Sequence, residues 1–101
     1  MINQKTDDIK KGIQYLFQTN NTMTIALSAT GHGAMECTIT NACEKRETIL
    51  IACNGIWGDR ASDMAKRAGI NVERLEGTAG VSFELDQIEN ALKKVLLSNY
   101  N

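Results

Sequence analysis

Proline is absent from this 101-residue chain, where an average usage of about 5% would supply about five. Turns must come from elsewhere, and the eight glycines are the available supply. Histidine occurs once, as His32, which excludes any site built from several imidazoles. Cys37, Cys43 and Cys53 form an odd set with no C-x-x-C pair, so neither a disulfide framework nor a zinc site is written in them. They point to a reducing, intracellular setting. No apolar run approaches the roughly 20 residues of a membrane-spanning helix. Eleven basic side chains face twelve acidic ones for a net charge of −1, which leaves no surplus to hold a nucleic-acid backbone. The first residues, Met1 to Lys5, lack a secretory hydrophobic stretch, and Ser98-Asn99-Tyr100-Asn101 is not a peroxisomal address. Neither a membrane nor a nucleic-acid partner is expected, and no metal.

What remains is ordinary globular material, 43% apolar and 23% charged, enough for a single domain with one modest core. Thr6 is placed to cap a first helix carrying Ile9, Ile13, Leu16 and Phe17 on one stripe. Thr22 to Leu27 alternates, with Met23, Ile25 and Leu27 on one face, and reads as a strand over 22–28. After the small-residue turn Ser28 to Gly33, Met35, Ile39, Ala42 and Cys43 begin a second helical stripe. Thr48 to Cys53 is a continuous apolar run of strand length, rich enough in β-branched residues to read as a buried strand. Trp57, Ala61, Met64, Ala65 and Ala68 make a third stripe, closed by Gly69 where a helix C-cap glycine belongs. Ile70 to Leu75 reads as a short strand, and Leu85, Ile88, Leu92, Val95 and Leu96 as a last helix. Strands alternating with helices predict an α/β fold of parallel β-α units, in the order helix, strand, helix, strand, helix, strand, helix.

Two places stand out for chemistry. Thr30, Gly31, His32 and Gly33 set small residues and backbone N–H groups at a helix start, the geometry that holds anions such as phosphate. The same residues also read as a plain capped turn. Neither a dinucleotide glycine motif nor a P-loop is present, since Glu36 stands where the third glycine of the former belongs. Trp57 follows the strand at 48–53 directly, at the strand end where α/β sheets bind ligands. It could stack a flat heteroaromatic ring or simply fill core. Asp59, Arg60 and Asp63 beside it read as a solvated helix face. No lysine sits in a small-residue, apolar setting of the kind that lowers its pKa for covalent chemistry.

Three strings carry a resemblance. They are Asp8-Ile9-Lys10-Lys11-Gly12-Ile13-Gln14-Tyr15-Leu16-Phe17-Gln18-Thr19, Ser28-Ala29-Thr30-Gly31-His32-Gly33-Ala34-Met35-Glu36, and Asn54-Gly55-Ile56-Trp57-Gly58-Asp59-Arg60-Ala61. In order and spacing they resemble the alanine–glyoxylate aminotransferases, class V, fold-type I enzymes that use pyridoxal 5′-phosphate. Serine–pyruvate and 3-hydroxykynurenine transaminases share the strings.

The resemblance implies that 1–101 is a single partial domain, the N-terminal part of a three-layer large domain. It implies that Thr30, Gly31 and His32 bind the cofactor phosphate and that Trp57 stacks on the pyridine ring. It implies amino transfer from alanine to glyoxylate in the whole enzyme, with a small amino acid and a 2-oxo acid as substrates and a homodimer as the assembly. The family setting is peroxisomal, mitochondrial or cytoplasmic. The chain would cover about a quarter of a typical member, without the Schiff-base lysine, the Asp that pairs with the pyridine nitrogen or the Arg that binds substrate carboxylate. No catalytic residue is therefore assigned, and the chain alone is expected to be inactive. A non-catalytic module that binds a phosphate-bearing ligand, or joins a subunit, is the alternative. Lys45-Arg46 stand where the family usually has a proline-glycine turn. The family's sheet order also separates the strand at 22–28 from those at 48–53 and 70–75, so the latter pair is the one expected to form.

Overall fold

The computed structural model describes residues 2–99, which fall into two compact units, one ending at Thr30 and one beginning at Gly31. In the first unit, α1 spans Ile2–Phe17. It begins earlier than Thr6, because Asn3, Gln4 and Lys5 offer no breaker and the helix simply extends through them. Its end is a two-bond cap: Gln18 N–H donates to the Tyr15 carbonyl at 3.2 Å and Thr19 N–H to the Gln14 carbonyl at 3.0 Å. Gln18 takes the left-handed conformation that this cap requires, at φ 50°. The segment after it holds itself in place through side chains. Gln14 Nε2 donates to the Asn21 carbonyl at 2.8 Å, and the buried Thr24 donates its hydroxyl to the same oxygen at 2.7 Å.

Thr22 to Leu27 is not a strand, contrary to its alternating pattern. Alternation prepares a segment for a sheet, but the ladder bonds need a neighbour, and among the described residues none pairs with it. Met23, Ile25 and Leu27 are accordingly exposed.

The second unit carries the sheet. Its elements are α2 (Gly31–Ala42), β1 (Thr48–Cys53), α3 (Ile56–Arg67), β2 (Asn71–Glu76) and α4 (Leu85–Asn99). β1 and β2 pair in parallel, from Thr48 opposite Asn71 to Cys53 opposite Glu76. This is the pair expected from the sequence, with the second strand beginning one residue later. Side chains alternate across the strands. Ile49, Ile51 and Cys53 face one way, into a core with Ile39, Ala61, Met64, Ala65, Ile70 and Val72. Leu50 and Leu75 face the other way, toward Ala91 and Val95 of α4. The sheet thus lies between α3 and α4, with α2 packed on α3. These observations describe an α/β fold with parallel strands.

Two turns fix how the strands are entered. At the end of α3, Gly69 N–H donates to the Lys66 carbonyl and Ile70 N–H to the Ala65 carbonyl, both at 3.0 Å, with Gly69 at φ 81°. This is the glycine cap read from the sequence. Before β1, Arg46 takes φ 73°. Its N–H donates to the Gly69 carbonyl at 2.9 Å, and its carbonyl accepts from Asn71 Nδ2 at 2.8 Å. Arginine therefore holds the left-handed conformation that a glycine would take more cheaply.

Candidate functional site

The end of β1 is built for close approach. Asn54 and Gly55 separate Cys53 from α3, with Gly55 extended at φ 171°. Gly58, in the first turn of α3, lies against Cys53, and a Cβ added there would stand 2.7 Å from the Cys53 Cα. The neighbouring Ser62 is 2% exposed, donates to the Gly58 carbonyl at 2.9 Å, and has its Oγ 3.6 Å from Cys53 Sγ. These contacts seat the start of α3 on the strand and thereby fix where Trp57 stands. The loop after β2 closes on the same strand end, with Gly77 N–H donating to the Cys53 carbonyl at 2.8 Å and Asn54 Nδ2 to the Val81 carbonyl at 2.9 Å.

Trp57 is 58% exposed, so it is not core. Its ring lies 5.4 Å from that of His32, tilted by 59°. His32 sits in the first turn of α2, far away in sequence, and the packing of α2 on α3 brings the two together. Gly31 opens the same helix, and a Cβ built on it would meet nothing within 4 Å. A ligand can therefore approach this backbone, at the helix end where N–H groups lack intrahelical acceptors and the dipole is positive. Thr30 is the last residue of the first unit and is exposed, immediately before Gly31 in the chain. The structure thus joins His32 to Trp57 within one unit and keeps Gly31 beside His32.

Arg60, on what the sequence presents as a solvated helix face, has two ring contacts in the structure. Its guanidinium carbon lies over the Trp57 ring, 5.8 Å from the centroid, and its Nη1 is 3.1 Å from His32 Nε2. The i, i+3 spacing from Trp57 was the signal available in the sequence. The contact with His32, 28 residues away, was not. Nearby, Arg74 on β2 reaches Asp59 Oδ1 at 2.6 Å and also binds Glu76 through both carboxylate oxygens. The hydrogen bond from Arg74 holds the Glu76 carboxyl below its ordinary value, and the two carboxylates raise the Arg74 guanidinium further above its own.

Among the described residues, no group of three or more His, Cys, Asp or Glu side chains is placed to hold a metal ion. Cys37, Cys43 and Cys53 are free thiols. Among the described residues, no helix is long and apolar enough to cross a membrane.

Comparison with known proteins places the chain among aminotransferases. The chain is 44% identical over 97 residues to the alanine–glyoxylate aminotransferase of Felis catus, a match covering 93% of this chain and 23% of that protein. The crystal structure of the alanine–glyoxylate aminotransferase from Nostoc sp. superimposes with a TM-score of 0.79 at 40% identity, over 88% of this chain and 24% of the other. That of the ureidoglycine–glyoxylate aminotransferase from Bacillus subtilis does so with a TM-score of 0.78 at 28% identity, over 89% and 23%. This chain therefore spans about a quarter of the length of the relatives it matches. The model of the class-V aminotransferases, enzymes that generally use pyridoxal phosphate and act on small molecules, matches residues 1–97. A match over nearly the whole length of the sequence leads to one assignment: the chain belongs to the class-V aminotransferase family.

Proposed function

We propose that residues 1–101 form the N-terminal part of the large domain of a pyridoxal-phosphate transaminase, the part that holds the cofactor's phosphate and covers one face of its ring. The observation that carries this reading is the meeting of His32 and Trp57, 5.4 Å apart, from two separate strings that each pointed to the cofactor. The residues present fit the group. Gly31 leaves room above its backbone at a helix N-terminus, and Trp57 offers an exposed indole. Gly31 and His32 would hold the phosphate and Trp57 the ring; the resemblance adds Thr30, the residue before them in the chain. When bound, the cofactor supplies the electron sink for amino-group transfer.

Glyoxylate is the shared word in the names of the Felis catus, Nostoc and Bacillus relatives. It supports a glyoxylate-type acceptor in the whole enzyme, with alanine the donor that the more similar two names favour. An amino acid and a 2-oxo acid would be the substrates of the complete homodimeric enzyme, in a peroxisomal, mitochondrial or cytoplasmic setting. Within residues 1–101 no lysine occupies a setting fit for covalent chemistry, so this chain by itself binds without transaminating. The test is a titration of pyridoxal 5′-phosphate into the chain, followed by the emission of Trp57, the sole tryptophan. Saturable quenching that Gly31→Asp weakens is expected. Equal binding by both proteins removes the phosphate turn from the account. Formation of glycine from glyoxylate and alanine by the purified chain, lost in Trp57→Ala, overturns its inactivity.

A further inference from the structure

Arg60 touches both rings of the candidate site, and the chemistry of the three groups decides how. A guanidinium carries donors only. The 3.1 Å contact with His32 Nε2 is therefore a hydrogen bond only if Nε2 accepts it. That makes the imidazole neutral with its proton on Nδ1, the form set by what the other nitrogen binds. The same guanidinium lies over the Trp57 ring at 5.8 Å, within cation–π range. Its neighbours on α3 leave it available for this: Asp59 is engaged by Arg74 at 2.6 Å and Asp63 by Arg67 at 2.8 Å.

We propose that Arg60 is a positioning residue, which locks His32 as the Nδ1–H tautomer and steadies the Trp57 indole, so that both rings are preset for the ligand. The ligand half of this statement rests on the pyridoxal-phosphate reading above; the two ring contacts do not. Lysine cannot replace arginine here, because a point charge lacks the planar fork that bonds one ring while lying over another.

The chain contains one histidine and one tryptophan, so each signal is unambiguous. Ring ¹⁵N correlation spectra of His32 should show a protonated Nδ1 and an accepting Nε2 in the wild type. In Arg60→Met the Nε2–H form should appear, and acrylamide should quench Trp57 more strongly. Arg60 is exposed, so far-UV circular dichroism should be unchanged. Pyridoxal 5′-phosphate should bind about 2- to 5-fold more weakly to Arg60→Met, the ratio that an exposed cation–π contact of about 0.5–1 kcal/mol supports. Arg60→Lys, which keeps the charge, should not restore that affinity.

A His32 tautomer and Trp57 quenching identical in wild type and Arg60→Met would overturn the proposal. Full recovery of binding in Arg60→Lys would do the same, since Arg60 would then act as charge alone. If the wild type shows the Nδ1–H form and loses it in Arg60→Met, yet binds no pyridoxal phosphate, the cofactor reading fails and the ring-positioning role stands.

Discussion

Gly58 and Cys53 are closer than any side chain at position 58 would allow, since an added Cβ would lie 2.7 Å from the Cys53 Cα and 2.9 Å from its Cβ. The obstructing atoms are backbone of β1 and the root of a buried side chain, neither of which can swing away. Gly58→Ala should therefore lose about 1–3 kcal/mol to overpacking, against about 1 kcal/mol gained from helix propensity, for a net destabilisation. Gly12, inside α1, is the control: a Cβ there meets nothing within 4 Å, so Gly12→Ala should stabilise by up to about 1 kcal/mol. Urea denaturation of both variants checks the opposite signs. Loss of the His32–Trp57 contact in Gly58→Ala, seen in Trp57 emission, would show that this close approach also seats the candidate site.

Much of the second unit was legible because its signals are local. The apolar run Thr48–Cys53 has strand length and β-branched residues, and Gly69 marks the end of α3 with a conformation few other residues adopt. Trp57 and His32 could be named from their strings, and the packing of α2 on α3 supplied their contact. What failed was whatever depended on a distant partner. Thr22–Leu27 had the right alternation, but a strand exists only when something pairs with it. Arg60 resembled any exposed helix cation until His32 was placed beside it. The conformation of Arg46 was hidden for a third reason: nothing in an arginine announces a positive φ.

That conformation has a cost that can be measured. A left-handed residue with a Cβ is strained by about 1–2 kcal/mol, while glycine adds back about 0.4–1 kcal/mol of unfolded-state entropy. Arg46→Gly should therefore stabilise the chain by about 0.5–1 kcal/mol. The bonds from Arg46 N–H to the Gly69 carbonyl and from Asn71 Nδ2 to the Arg46 carbonyl use backbone atoms at position 46, and both survive the change. Arg46→Ala keeps the strained conformation and should bring no such gain. Thermal denaturation of the three proteins decides it, and an equal midpoint for Arg46→Gly and Arg46→Ala would contradict the strain.

Trp57 separates stability from binding. With 58% of its surface exposed, Trp57→Ala should change folding stability by less than about 1 kcal/mol, far below the 3–5 kcal/mol of a core tryptophan. Its loss should weaken pyridoxal 5′-phosphate binding by about 2- to 10-fold, the range of an aromatic stacking contact worth about 0.5–1.5 kcal/mol. Equilibrium dialysis measures this without needing the indole signal. Unchanged binding would assign the ring contact to another group.

The last prediction concerns acid. Arg74 binds Glu76 and Asp59 together, and the hydrogen bond to Glu76 holds that carboxyl below its ordinary 4.5. The folded chain thus takes up this proton less readily than the unfolded chain. The stabilisation from Glu76 is then complete above about pH 4.5 and disappears as the pH falls through the lower folded value. Glu76 lies largely in solvent, so the effect should be modest and should shrink in high salt. Carboxyl NMR titration should place Glu76 below 4.5 in the wild type and return it toward that value in Arg74→Met. Denaturation across the same interval should show a shallower acid loss in Glu76→Gln, which has no proton to gain. A Glu76 titration that ignores the loss of Arg74 would mean that the pair does not persist in solution. The fork joining β2 to the first turn of α3 would then rest on Asp59 alone.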